Sequence, residues 1–240
     1  LRALAEGKQS PLSFKGVVFN EMKGAYSSPA ALLGKLSQQS LFPDTAYGVN
    51  SGGDPKAIPD LSYDYFRNFH KRFYHPSNAR IVFYGDDPEG RRFEMLDEYL
   101  GQFDAAPVDT RIAKQTRWSA PRQLEGRYAA TDAEPGKKIG MVQISWMLDE
   151  IESAETLLAL AVLEHVLVGT PASPLRKALT ESGLGEGLTG SGLADDLLQP
   201  YFTVGMKGID EADAGKIEAL VIATLEGLVK DGIDPLTIEA

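Results

Sequence analysis

From Gly16 to Gln39 the apolar positions recur at helical spacing. Val17, Val18, Met22 and Ala25 mark one face, and Leu32, Leu33 and Leu36 mark another after Pro29. Proline lacks a backbone N–H, so the pattern predicts two helices meeting near Ser27 and Ser28 rather than one rod. Tyr47 to Asn50 reads as extended, and Ser51-Gly52-Gly53-Asp54-Pro55 as a turn with two positions free to take positive φ. Asp60 or Ser62 can cap a helix on which Leu61, Tyr65, Phe69 and Phe73 fall on successive turns. His75-Pro76-Ser77-Asn78 ends that helix. Ala79 to Tyr84 then reads as a buried strand, and Glu89 to Phe103 as a further helix.

Periodicity fades between Asp104 and about Gln123, where proline and scattered charge suit a linker. Beyond it, Arg127 to Thr131 and Ile139 to Met147 read as strands. In the second strand Met141, Gln143 and Ser145 alternate with Val142, Ile144 and Trp146, as expected with one wet face. A helix from Ser153 to Val168 stops at Gly169, and Pro174 to Ser182 forms another, closed by Gly183. A glycine-rich stretch leads to a strand over Tyr201 to Lys207, and a last helix covers Glu211 to Lys230. The predicted class is α+β: two related domains, each with helices on one face of a mainly antiparallel sheet. The divisions are 1–104, a linker over 105–123, and 124–240.

Composition narrows the function. Apolar residues make up 43% of the 240 and charged ones 24%, which suits a globular protein able to bury a core. With no cysteine, disulfides and thiolate metal sites are excluded. A formal net charge of -10 argues against nucleic acid as a partner, and no basic run follows a helix face. Acidity suits cationic ligands such as basic peptides, although on its own it does no more than favour solubility. The apolar runs look too short for a membrane span, so no membrane role is expected. The opening Leu1-Arg-Ala-Leu-Ala-Glu carries no signal pattern, and both ends look like cuts.

Glu21 is the most informative polar residue, four positions after Val17 and four before Ala25, within the apolar stripe. A carboxylate facing a core must be hydrogen-bonded, paired or bound to a metal. The plain alternative is a helix-end glutamate paired with a lysine. His70 and His75 are five residues apart and point to different sides of a helix, which leaves His70 as a half-buried helix residue and His75 as a C-terminal cap. Ala161-Val-Leu-Glu164-His165 has the shape H-x-x-E-H with alanine at the first histidine. One histidine cannot hold a catalytic zinc, which needs three protein ligands and a water. Nucleophile elbows, phosphate loops and dinucleotide fingerprints are absent.

Longer strings carry a resemblance. Gly16-Val-Val-Phe-Asn-Glu21-Met-Lys-Gly24-Ala is similar to the segment bearing the third zinc ligand in presequence proteases, peptidases of the pitrilysin and insulinase type. The similarity continues through Tyr47-Gly-Val-Asn-Ser-Gly-Gly-Asp-Pro55, Phe73-Tyr-His-Pro-Ser-Asn-Ala-Arg80 and Phe83-Tyr-Gly-Asp-Asp87. It resumes in Leu167-Val-Gly-Thr-Pro-Ala-Ser-Pro-Leu-Arg-Lys177, Glu181-Ser-Gly-Leu-Gly185 and Leu198-Gln-Pro200.

The resemblance implies a zinc endopeptidase that degrades unstructured peptides, including cleaved targeting peptides, inside a closed chamber of four related α+β domains. Its metal would be held by two histidines of an H-x-x-E-H helix and a distant glutamate, which maps to Glu21. The H-x-x-E-H helix would lie upstream of Leu1, so the chain alone, truncated at both ends, is expected to be inactive. Ala161 to His165 would be the degenerate copy of that helix in the second domain. The resemblance further implies a monomeric parent in the mitochondrial matrix or plastid stroma, with the bacterial cytoplasm as alternative. A non-catalytic relative, serving as a peptide-binding or structural subunit, is the competing expectation.

Overall fold

The structure is a computed structural model describing residues 2–4, 13–130, 137–235 and 238. Its regular elements are strands β1 (Arg2–Leu4) and β2 (Ser13–Lys15), helices α1 (Val17–Ala25), α2 (Pro29–Leu41), α3 (Tyr63–Phe73) and α4 (Glu89–Leu100), strand β3 (Gly140–Met147), helices α5 (Ala154–Glu164) and α6 (Pro174–Glu181), strands β4 (Gly187–Ala194) and β5 (Tyr201–Ile209), and helix α7 (Ala214–Asp231). They pack as two compact units, Leu1–Lys15 with Asp54–Ile112 and Gly16–Gly53 with Ala113–Ala240. Packing therefore joins α1 and α2 to the C-terminal half.

In the second of these units β5 lies between β3 and β4 in an antiparallel sheet. Val142, Ile144 and Trp146 of β3 stand opposite Met206, Val204 and Phe202 of β5. Val204, Met206 and Ile209 bury against Leu175 and Leu179 of α6 and Ile217 and Val221 of α7. Fully burying each such side chain contributes about 1.5–3 kcal/mol, so this layer dominates the unit's stability. The face of β3 expected to be wet is covered: Ser37 of α2 hydrogen-bonds Ser145 at 2.6 Å, and all eight residues of β3 are half-buried. α2 begins as its sequence predicts, with Ser28 accepting from the Ala31 N–H and Pro29 in the first turn.

Residues 105–123 hold no helix or strand, yet one of them is a fastening point. Gln115 is 3% exposed. Its backbone N–H donates to Gln199 Oε1 at 2.6 Å, and Gln199 Nε2 returns a bond to its carbonyl at 3.2 Å. Its side chain accepts from the Asp44 N–H at 3.0 Å and donates to Asp44 Oδ2 at 2.7 Å.

Several expectations are corrected. Ala79 to Tyr84 forms no strand, and Ile81, Val82, Phe83 and Tyr84 are exposed. A strand needs a neighbour for its N–H and C=O groups, and no described strand pairs with this segment. Residues 127–130 likewise form no strand, and Thr131 lies outside the described residues. β4 begins within the stretch read only as glycine-rich. Gly190 and Gly192 take φ of 89° and 71° at an irregularity in its pairing with β5, and glycine weakens the strand signal at such bulges. The helix expected to run to Val168 changes at His165 to a π-helical turn, His165–Gly169. The apolar run is also longer than expected. Ala154–Glu181 is long and apolar enough for a membrane span by length and composition. It is nevertheless no continuous helix, since Thr170 is extended between the π-turn and α6.

The unit containing Asp54–Ile112 has no residue classed as buried among those described. Of the two candidate caps, Asp60 and Ser62, it is Ser62 that caps α3, through the Tyr65 N–H. Leu61, Tyr65 and Phe69, expected to face a core, are exposed, because no described layer covers them. Its ties include the polar contacts Arg92 Nε to Asp87 at 2.9 Å, the Ala106 N–H to Ser77 at 3.1 Å and Thr110 to Asn78 at 3.2 Å, and ring contacts such as Phe69 on Phe73 at 4.7 Å and Tyr99 on Phe103 at 5.6 Å.

Gln115→Ala is expected to lower stability by about 1–3 kcal/mol, because it removes the two side-chain hydrogen bonds to Asp44. Each contributes about 0.5–1.5 kcal/mol, or more to a carboxylate, while the backbone bonds to Gln199 remain. Urea melts of the two proteins give the measurement; a change within about 0.5 kcal/mol, as for a solvated linker residue, would contradict the clasp.

Candidate functional site

Helix α1 starts after Gly16, which is extended (φ -170°) and has no side chain to cap with, and closes with the Tyr26 N–H bonding Met22 O. At about 100° per residue, Val17, Glu21 and Ala25 share one side and Met22 lies on the next. Met22 is the buried residue of α1. Val17 is 85% exposed and Val18 53%, and Glu21 and Ala25 are exposed as well. The expectation that Glu21 faces a core is therefore overturned, because the described chain supplies no layer across that side of α1.

Glu21 remains chemically available. No described residue hydrogen-bonds or pairs with its carboxylate. Among the described residues no three of His, Cys, Asp and Glu cluster closely enough to hold a metal ion. The described residues thus offer a metal ion one exposed, partnerless carboxylate at this position and no complete site. An oxygen ligand of that kind fits one place in a zinc shell.

The histidines lie elsewhere. His70 is exposed rather than half-buried and stacks on Tyr74, with ring centroids 4.6 Å apart. His75 caps the turn that follows it rather than α3, accepting from the Ser77 N–H at 3.2 Å. The end of α3 is held instead by Asn78 Nδ2 donating to Phe73 O at 2.9 Å. Glu164 lies directly over Gly192 of β4, where a Cβ would strike its carboxylate. His165 lines a cavity of about 300 Å³ with Ala161, Val162, Val166, Thr170 and Ser173. Ser173, 1% exposed, fixes the π-turn by donating to His165 O and accepting from the Thr170 N–H.

A second hollow, of about 350 Å³, was not legible in the sequence. Glu150, Glu152 and Asp195 stand at it beside Leu157, Leu198 and Pro200. Lys114 pairs with Glu150 at 2.6 Å, and that hydrogen bond raises the lysine pKa. Glu150 and Glu152 are near neighbours in sequence, and only the fold brings the distant Asp195 to them.

Comparison with known proteins adds the following. Residues 60–240 match a family described as "Peptidase M16 inactive domain". The chain is 50% identical over 232 residues, 95% of its length, to "Presequence protease 1, chloroplastic/mitochondrial" of Arabidopsis thaliana, covering 22% of that protein. Its fold is similar to a peptidase M16 inactive domain from Pseudomonas fluorescens, with TM-score 0.64 and 17% identity over 92% of this chain and 52% of that one. Pitrilysin is a further structural neighbour, with TM-score 0.52 and 16% identity over 92% of this chain and 24% of that one. The chain thus spans 22% to 24% of the length of the curated relatives it matches.

With one carboxylate ligand, the 240-residue chain incubated with zinc and a fluorogenic peptide is expected to hydrolyse nothing above buffer. Chelator-sensitive turnover would place a complete site within it.

Proposed function

The chain belongs to the M16 peptidase family, and we propose that it forms part of a zinc-dependent endopeptidase that degrades unstructured peptides, such as cleaved targeting peptides, in a closed chamber. The observation that carries this reading is the 50% identity to a presequence protease along nearly the whole chain. Residues 1–104 and 124–240 would be parts of two successive α+β domains joined through 105–123. A mitochondrial matrix or plastid stroma location accords with that relative's printed name, the bacterial cytoplasm being the alternative. The net charge of -10 suits basic peptides as substrates, and the parent is taken as monomeric.

Within this reading Glu21 is the metal ligand of the chain. Zinc, when bound, polarises a scissile carbonyl and lowers the pKa of bound water toward neutrality. The carboxylate supplies a negative oxygen ligand, which an amide of the same shape replaces poorly. Glu164 and His165 are read as packing residues, in keeping with the seat of Glu164 on Gly192.

A second reading, a non-catalytic subunit that binds peptides or supports the chamber, is favoured by the family description as an inactive domain. The two separate on the full-length protein. Glu21→Gln is expected to weaken zinc binding at least about tenfold, since even outer-shell changes cost about 10–100-fold in affinity, with circular dichroism unchanged. Stoichiometric zinc and near-normal peptidase rate in that variant would remove Glu21 from the site. A wild-type protein free of zinc and turnover would favour the subunit.

His165→Gln in the same protein is expected to keep both zinc content and peptidase rate. Loss of zinc with the fold intact would make the α5 end part of the metal site.

A further inference from the structure

Met22 follows Glu21 directly, and the residue beneath it is Gly52. A Cβ placed on Gly52 would strike Met22 Sδ and lie 3.0 Å from Cε and 3.4 Å from Cγ. The glycine at 52 is therefore explained by space. Positive φ belongs to its neighbour Gly53, at 90°. The turn that presents Gly52 is itself held: Asn50 Oδ1 accepts from the Gly52 N–H at 3.0 Å, and Asn50 O from the Gly53 N–H at 2.9 Å. Just before it, Tyr47 O accepts from Gln38 Nε2 at 3.0 Å and Tyr47 Oη accepts from the Leu198 N–H at 3.0 Å. The Tyr47 ring meets Phe42 edge-on at 5.9 Å, and Phe42 meets Tyr201, the first residue of β5, at 6.0 Å.

A continuous line of fixed groups thus runs from β5 through Phe42, Tyr47 and the 50–53 turn to Met22. We propose that Met22 and Gly52 are a positioning pair for Glu21: the methionine seated on a side-chain-free surface sets where α1 holds its carboxylate. This inference rests on the reading of Glu21 as a zinc ligand. α1 has no side-chain N-cap, so tertiary seating, rather than its own capping, has to hold so short a helix in place. Its far end has a further hold, Lys35 Nζ lying 3.5 Å from the centroid of the Tyr26 ring. That hold lies five residues past Glu21, whereas Met22 adjoins it. Functional groups are held to within about 0.5 Å by the packing of the residues around them, so a displaced Met22 shifts the carboxylate.

The test uses the full-length protein and measures zinc affinity by chelator competition, beside thermal melts. Gly52→Val is expected to weaken zinc binding about 10–100-fold, the range for residues that orient ligands, while the protein stays folded. Adding Met22→Ala to Gly52→Val gives the valine room and is expected to recover affinity toward the wild-type value. Wild-type affinity in folded Gly52→Val, beside loss of zinc in Glu21→Gln, would overturn the positioning role and leave the ligand assignment standing. Retention of zinc in Glu21→Gln would instead overturn both. If Gly52→Val does not fold, Met22→Ala alone replaces it, with weakened zinc expected and unchanged zinc overturning the proposal. A metal-independent readout comes from the 240-residue chain: Met22→Ala is expected to speed amide hydrogen exchange in α1 while β3 and β5 stay protected. Unchanged protection of α1 would show that this seat does not hold the helix.

Discussion

Strand β5 buries Val204, Met206 and Ile209 against α6 and α7, and its flanks are where the rest of the unit is tied on. Gln199 and Tyr201, at its start, grip Gln115 and Phe42. Leu198 donates to Tyr47, and through Tyr47 the hold reaches the turn under Met22. Burial of the β5 face is non-directional and supplies most of the free energy. The polar clasps add little net stability, but their partners would be left unsatisfied if they opened, and this fixes register. A division of this kind suits a site: an apolar layer gives rigidity and a few directional bonds transmit it.

The stretch Asp54–Ile112 lacks that layer. Its sequence has what a core needs, with Phe66, Phe69, Phe83 and Phe93 among its apolar side chains, yet all four are exposed. Helix capping and ion pairs of the Arg92–Asp87 kind give it local order. Exposed pairs contribute about 0–1 kcal/mol, too little to replace apolar burial.

How far the sequence revealed the structure depended on where the signal lay. Ser28-Pro29 and Ser62 announced α2 and α3 because capping is local chemistry. Tyr201 onward read as a strand because Phe202, Val204 and Met206 alternate with Thr203, Gly205 and Lys207, whereas β4 was hidden by glycines, two of which take positive φ at the irregularity in its pairing. The pattern around Glu21 suggested burial, since Val17, Val18 and Ala25 have the spacing of a core stripe. Periodicity reports which side would be buried and not whether anything covers it. The role proposed for Glu21 came from the irregular string around it, while the seat of Met22 on Gly52 is visible only in the folded chain. Gln115 gave no signal at all, since a lone glutamine in a proline-bearing stretch looks like any solvated residue.

On the proposed function, Glu21 is a zinc ligand carried on a helix seated against a firmly held turn. Anomalous diffraction at the zinc edge on the full-length protein tests that account most directly. It predicts one zinc with a Glu21 carboxylate oxygen about 2.0–2.2 Å away, the usual zinc–carboxylate distance. A zinc bound beside Glu164 and His165, or one whose shell omits Glu21, would contradict it.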